Sequence, residues 1–206
     1  MVDRTPTSRA VVRNRSEQRH DDEARFLRNW LKNPLRMGAV TPSGPVLARR
    51  MAGYVDPAGT GPVIELGPGT GPVTAALVER GVNPARLVLV EYSAEFCRLL
   101  RERFPQATVV HGDAYALGRT LAGKLSAPAD AVVSGLPLVT RPEPVRLKLL
   151  NEAFGLMKPS APFIQFTYAV VSPVPLKGAD FAAEPSDRVW RNIPPARVWV
   201  YRRGGS

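Results

Sequence analysis

Between Val63 and Pro72 the chain reads Val63-Ile64-Glu65-Leu66-Gly67-Pro68-Gly69-Thr70-Gly71-Pro72. Four residues suited to a buried strand run straight into three glycines at alternate positions, and a proline stands where a following helix would place its first residue. Glycine permits the left-handed backbone of a sharp turn and lets main chain approach a ligand without a Cβ in the way. A helix starting directly behind such a turn offers unpaired N–H groups to a negative or polar group. The spacing is G-x-G-x-G with Glu65 ahead of it, whereas a dinucleotide fingerprint is G-x-G-x-x-G.

The rest of the chain supports a fold built around that loop. Strands are predicted at 63–66, 87–91, 108–111, 130–133 and 163–168. Helices are predicted at 72–80, 93–104, 114–125 and 143–157, with two earlier ones at 16–33 and 43–54. Short apolar strands alternating with helices imply βαβ crossovers and a mostly parallel sheet. The proline-rich stretch 172–186 reads as a loop, and 188–193 and 196–201 read as two strands flanking Pro194-Pro195. The expectation is a Rossmann-like α/β fold with a mostly parallel seven-stranded sheet and an antiparallel C-terminal strand. Residues 1–36 would form an N-terminal arm and helix, and residues 37–206 the main domain.

Two further acids repeat the placement of Glu65. Glu91 ends the second strand, 20 residues beyond Gly71, where a carboxylate can accept from both hydroxyls of a ribose. Asp113 follows the third strand in His111-Gly112-Asp113-Ala114, where it can accept from the exocyclic amine of adenine. Any one of these could be an ordinary helix cap. Acids at the ends of three successive strands, beside a glycine loop, point to a nucleoside ligand at the carboxyl edge of the sheet.

The formal net charge is +10. Nine Lys/Arg stand against five Asp/Glu between Met1 and Arg36, and five arginines and no acid follow from Arg188 onward. Such a field favours polyanions, either nucleic acid or an anionic membrane surface. Cys97 is the single cysteine, so no internal disulfide framework is possible, and it reads as packing. No apolar run approaches the roughly 20 residues needed to span a bilayer, and the N-terminus lacks the apolar core of a secretory signal. A cytoplasmic location is expected, and no metal.

One segment is amphipathic. With Phe26 at zero on a wheel of about 100° per residue, Trp30, Leu27 and Leu31 fall within an arc of about 140°. Arg25, Arg28, Asn29 and Lys32 occupy the other side. The apolar arc could cover a domain core. It could also enter a headgroup boundary while Arg25, Arg28 and Lys32 meet anionic lipid.

Several stretches carry a family resemblance: Phe26 to Pro34, Gly38 to Ser43, Ile64 to Gly71, Ser134-Gly135-Leu136-Pro137-Leu138, and Pro194 to Trp199. Over about residues 20 to 203 the chain resembles bacterial phospholipid N-methyltransferases, class I enzymes using S-adenosylmethionine, in the branch related to ribosomal RNA adenine dimethylases. The resemblance implies stepwise methylation of phosphatidylethanolamine to phosphatidylcholine, by an enzyme held peripherally at the cytoplasmic face of the membrane through its N-terminal helix. It places Glu65, Gly67, Gly69, Gly71, Glu91 and Asp113 at the cofactor, with Thr41, Tyr92, Ala114, Ser134 and Leu136 beside them. The partners implied are a phospholipid and an anionic membrane surface, with no nucleic acid. An adenine methylase would carry an amide and an aromatic around the proline after strand four, the aromatic stacking on an extruded base. Ser134-Gly135-Leu136-Pro137-Leu138 has neither. Methylation of RNA or a small molecule is the alternative, and a non-catalytic adaptor a third.

A primary ammonium must lose a proton before it can attack, and with a lysine-like pKa that costs about 4–5 kcal/mol at pH 7. Tyr168, at the end of strand five, is the leading candidate to orient the amine. His20 and Asp21 are candidates to take or relay the proton. Arg188, Arg191 and Arg197 are candidates to meet a lipid phosphate.

Overall fold

The computed structural model describes residues 44–192 and 194–204. Seven strands form one sheet in the order β3-β2-β1-β4-β5-β7-β6. They are β1 Val63–Leu66, β2 Leu87–Glu91, β3 Thr108–His111, β4 Ala131–Ser134, β5 Phe163–Thr167, β6 Ala182–Pro185 and β7 Arg197–Arg202. The first five run parallel to one another, and β7 pairs antiparallel with both β5 and β6.

Every residue of β1, β2 and β4 is buried, so these strands read as unbroken apolar runs and not as alternation. Helices cover both faces. Leu47 and Met51 of α1 (Pro45–Ala52), Val73 and Leu77 of α2 (Pro72–Glu79) and Leu100 of α3 (Ala94–Arg103) pack on one side with Leu87, Leu89, Ile164 and Val198. Leu117 of α4 (Leu117–Thr120) and Leu149, Leu150 and Ala153 of α5 (Glu143–Phe154) pack on the other with Ile64, Phe163, Trp199 and Tyr201. Each large side chain buried in this way contributes about 1.5–3 kcal/mol. Asp130 ties the amino edge, accepting from Gly61 N at 2.7 Å and Arg86 Nη2 at 2.9 Å.

The strand order reverses between β1 and β4. Such a switch point opens a crevice at the carboxyl ends of the strands, and the glycine loop leaves β1 there.

Three expectations differ in detail. The predicted helix 114–125 is broken into a 3-10 turn, Ala114–Ala116, and the single helical turn of α4, because Ala116 takes φ −121 and ψ 47. The predicted loop 172–186 contains β6. The predicted strand 188–193 is a connection with one bridge, Val189 to Ala196. No helix among the described residues is long and apolar enough to cross a membrane. The predicted helix 16–33, with His20, Asp21, Arg25, Phe26, Leu27, Arg28, Trp30, Leu31 and Lys32, lies outside the described residues, as does Thr41.

Candidate active site

The glycine loop has the backbone its composition anticipates. Gly67, Gly69 and Gly71 all adopt positive φ, at 66°, 58° and 84°. Gly71 is the N-cap of α2 and Pro72 occupies its first turn, so the helix starts without a side-chain cap and with its N–H groups directed into the loop. Two contacts show how closely the neighbouring loops approach. A Cβ on Gly67 would lie 2.9 Å from Leu136 Cδ2, and one on Gly135 would lie 2.9 Å from Gly67 O. The loops after β1 and β4 therefore touch.

Main-chain hydrogen bonds extend the ladder past the strand ends. Gly67 N donates to Val90 O at 2.9 Å, Gly112 N to Glu91 O at 3.0 Å, and Gly135 N to Leu66 O at 2.8 Å. The three loops of the expected site leave the sheet as one rim.

Both strand-end glutamates are buried. Glu65 is 2% exposed and accepts a 2.7 Å hydrogen bond from Thr74 Oγ1, one turn into α2. Burial raises its pKa from 4.5 to about 7, the Thr74 bond opposing and the charge of Glu91 adding. Glu91 accepts from Gly69 N at 3.1 Å through Oε2 and from Ser93 N at 2.7 Å through Oε1. Its pKa is also raised by burial, against those backbone bonds and nearby His111. Asp113 caps its 3-10 turn, accepting from Tyr115 N at 2.8 Å, so for this acid the helix-cap role is present whatever else it does. Ala114 behind it is buried. Tyr92 is half exposed beyond β2, and its carbonyl accepts from His111 Nε2 at 2.9 Å. Cys97 is buried packing, its thiol against Glu91 O at 3.5 Å.

These groups decide between ligands. Two buried carboxyls flank the loop N–H groups, one of them bonded to the loop itself. A pyrophosphate brought here would make the ionised form of both carboxyls costlier still. A cationic, hydroxyl-bearing nucleoside would relieve their desolvation. The donor set therefore fits S-adenosylmethionine.

On the other half of the rim, Ser134 is fully buried and its Oγ accepts from Leu136 N at 3.4 Å. Gln165 Nε2 donates to Leu136 O at 2.9 Å, fixing the loop that covers Gly67. Tyr168, one residue beyond β5, packs edge-on against Phe166 with ring centroids 5.4 Å apart. Its hydroxyl is buried and makes no hydrogen bond among the described residues. Asn192 is close enough to bear on it and opposes the rise that burial gives its pKa. Asn192 also accepts from Gly44 N and donates to Pro194 O, both at 3.0 Å. Thr74, Gln165 and Asn192 went unpredicted. Thr74 alone carried a signal, a polar residue on the buried face of a short helix.

Comparison with known proteins agrees with this geometry. A family profile described as a methyltransferase domain matches residues 63–160. An ornithine lipid N-methyltransferase of Singulisphaera acidiphila is 32% identical over 185 residues, 86% of this chain and 94% of that one. A ribosomal RNA small subunit methyltransferase A of Anaeromyxobacter dehalogenans is 36% identical over 146 residues, but the match takes in only 45% of its length. Among solved structures, the CcbJ methyltransferase of Streptomyces caelestis superposes with a TM-score of 0.57 at 17% identity, over 82% of this chain and 92% of that one. The glycopeptide N-methyltransferase MtfA, complexed with S-adenosylmethionine, gives 0.54 at 16% identity over 80% and 89%. These two likenesses speak to the fold.

Proposed function

Because the chain belongs to the family of S-adenosylmethionine-dependent methyltransferases that includes the ornithine lipid N-methyltransferase of Singulisphaera acidiphila, we propose that it methylates the headgroup amine of a membrane lipid. The acceptor we assign is phosphatidylethanolamine, carried through its mono- and dimethyl forms to phosphatidylcholine at a membrane surface. The observation that carries the reading is the 32% identity across 94% of a lipid N-methyltransferase. The loop after β4 supports it. Leu136 rests over Gly67 and Leu138 is buried, so this loop offers no aromatic platform for an extruded base.

Bound S-adenosylmethionine supplies a methyl group already activated on sulfonium. The protein's task is to hold donor and amine in line and to keep water away. Glu91 takes the ribose hydroxyls, Asp113 the adenine amine, and Glu65 with the loop N–H groups the methionyl end. Tyr92, Ala114, Ser134 and Leu136 complete the walls. Burial raises the Tyr168 phenol, so it stays protonated at neutral pH and acts by hydrogen bonding and through its ring face, not as a base. The proton leaves the ammonium before attack, and His20 and Asp21 remain the residues proposed to receive it. The amphipathic sequence around Trp30 is proposed as the membrane anchor.

The test uses labelled methyl donor and vesicles containing either phosphatidylethanolamine or its N-acetyl derivative. Label in the headgroup of the first and none in the second is the expected result. Label in neither, with active protein binding the donor, overturns the assignment.

A further inference from the structure

Among the described residues, six large hydrophobic side chains are exposed: Tyr92, Val139, Val170, Val171, Leu176 and Trp190. Four of them, Val139, Val170, Val171 and Trp190, gather at one edge. Val139 follows β4, and Val170 and Val171 follow β5, so all three stand at the carboxyl edge of the parallel strands. Trp190 lies in the β6–β7 connection. Because β7 is antiparallel to β5, with Arg197 opposite Thr167, that connection comes to the same edge. The strands β4, β5 and β7 are neighbours, so these loops leave the sheet within roughly 10 Å, two strand spacings. They border the half of the rim beside Leu136 and Tyr168, not the half that holds Glu91 and Asp113.

The exposure is large. Trp190 is 71% accessible, Val171 69%, Val170 66% and Val139 54%, at positions where a monomeric surface normally carries polar side chains. Basic residues are interleaved with them. Arg188 and Arg191 flank Trp190, with Arg188 5.8 Å from the centre of its ring, and Arg141 stands two residues after Val139. Between Ser186 and Arg197 three arginines oppose the single acid Asp187. An indole framed by guanidinium groups suits the boundary between headgroups and acyl chains, and the positive charges suit an anionic leaflet.

We infer that this rim is a second membrane-contacting surface, in which Trp190, Val170, Val171 and Val139 enter an anionic bilayer around the mouth through which the acceptor headgroup passes. The inference rests on the lipid-acceptor reading and adds to it. A headgroup can reach the carboxyl edge without its acyl chains leaving the bilayer only if that edge itself lies against the membrane. The apolar rim orients the protein so that the site faces lipid.

The experiment exploits the tryptophan count. The chain has three, and replacing Trp30 by Phe leaves exposed Trp190 and Trp199, which is 8% accessible. In Trp30→Phe protein, vesicles of phosphatidylglycerol and phosphatidylethanolamine with brominated acyl chains should quench and blue-shift the exposed emission. Trp30→Phe/Trp190→Phe should abolish that response. Trp190→Ser and Val170→Ser/Val171→Ser, in the otherwise native chain, should each lower transfer to vesicle lipid severalfold. Transfer to monomeric short-chain phosphatidylethanolamine, and affinity for S-adenosylmethionine, should be unchanged. Unquenched Trp190 in protein that sediments with vesicles and methylates them overturns the inference. Quenching of Trp190 with no transfer to either form of the lipid upholds the rim and removes the substrate reading instead.

Discussion

Glu91 ends β2 and Gly69 lies in the loop after β1, yet Glu91 Oε2 accepts the Gly69 N–H at 3.1 Å. The residue assigned to the ribose hydroxyls thus also shapes the loop assigned to the methionyl end. A carboxylate can hold both partners because each oxygen accepts more than one hydrogen bond.

Substituting Glu91 should accordingly damage donor binding in two ways. Glu91→Gln keeps the shape and removes the charge, and Glu91→Ala removes both. Loss of a charge-assisted hydrogen bond is worth about 1.5–3 kcal/mol, so Kd for S-adenosylmethionine should rise roughly ten- to hundredfold. Titration calorimetry measures it directly. A variant that binds like wild type removes Glu91 from the site.

The turn at Gly71 should not tolerate a side chain. Its φ is +84°, and a Cβ there would lie 2.6 Å from Phe104 Cε2. Gly71→Ala should cost about 1–3 kcal/mol of stability and lower Tm by several degrees. Thermal unfolding of the two proteins side by side checks this, and equal Tm values would show that the loop relaxes more than its geometry allows.

Glu65 gives the protein a specific pH dependence. Burial raises its pKa from 4.5 to about 7, so between those values the native state keeps a proton that the unfolded chain releases. Its contribution to stability is complete below about pH 4.5 and is lost as pH rises through 7, a swing of at most about 3 kcal/mol. Glu65→Gln removes the swing. Relative to wild type without ligand, it should gain stability on going from pH 5 to pH 8, by urea unfolding at each pH. Parallel profiles would mean that Glu65 ionises normally.

Tyr168 supplies a buried phenol with no hydrogen bond among the described residues. If its oxygen receives the acceptor amine, Tyr168→Phe should slow transfer roughly tenfold, the effect of one hydrogen bond of about 1.4 kcal/mol, with no change in donor affinity. Full activity in the phenylalanine variant would reduce this residue to sheet packing against Phe166.

The legible parts of the fold were those that local chemistry determines. Three glycines forced into positive φ and a proline behind them define the loop at Gly67 to Pro72. Strands β1, β2 and β4 are buried on both faces and could be read directly as apolar runs. β6 was hidden because Ala182-Ala183-Glu184-Pro185 has little strand preference and exists by pairing with β7 at the edge, where a terminal proline is tolerated. Arg188 to Asn192 misled in the opposite direction. The stretch 188–193 read as a strand, but Trp190 is exposed while Val189 and Asn192 are buried, and only Val189 makes a bridge, to Ala196. At the site, the strand-end acids could be read from spacing. Thr74 beneath Glu65 depends on how α2 packs on β1, and Gln165 beneath Leu136 on packing between segments 29 residues apart.

The central claim is that the donor's methyl group goes to a lipid amine. Purified protein, labelled S-adenosylmethionine, vesicles of phosphatidylethanolamine, ornithine lipid and phosphatidylglycerol, and small-subunit ribosomal RNA can be combined in one reaction and separated by extraction. The account predicts label in the organic phase, on the headgroup of phosphatidylethanolamine. Label confined to the RNA would contradict it.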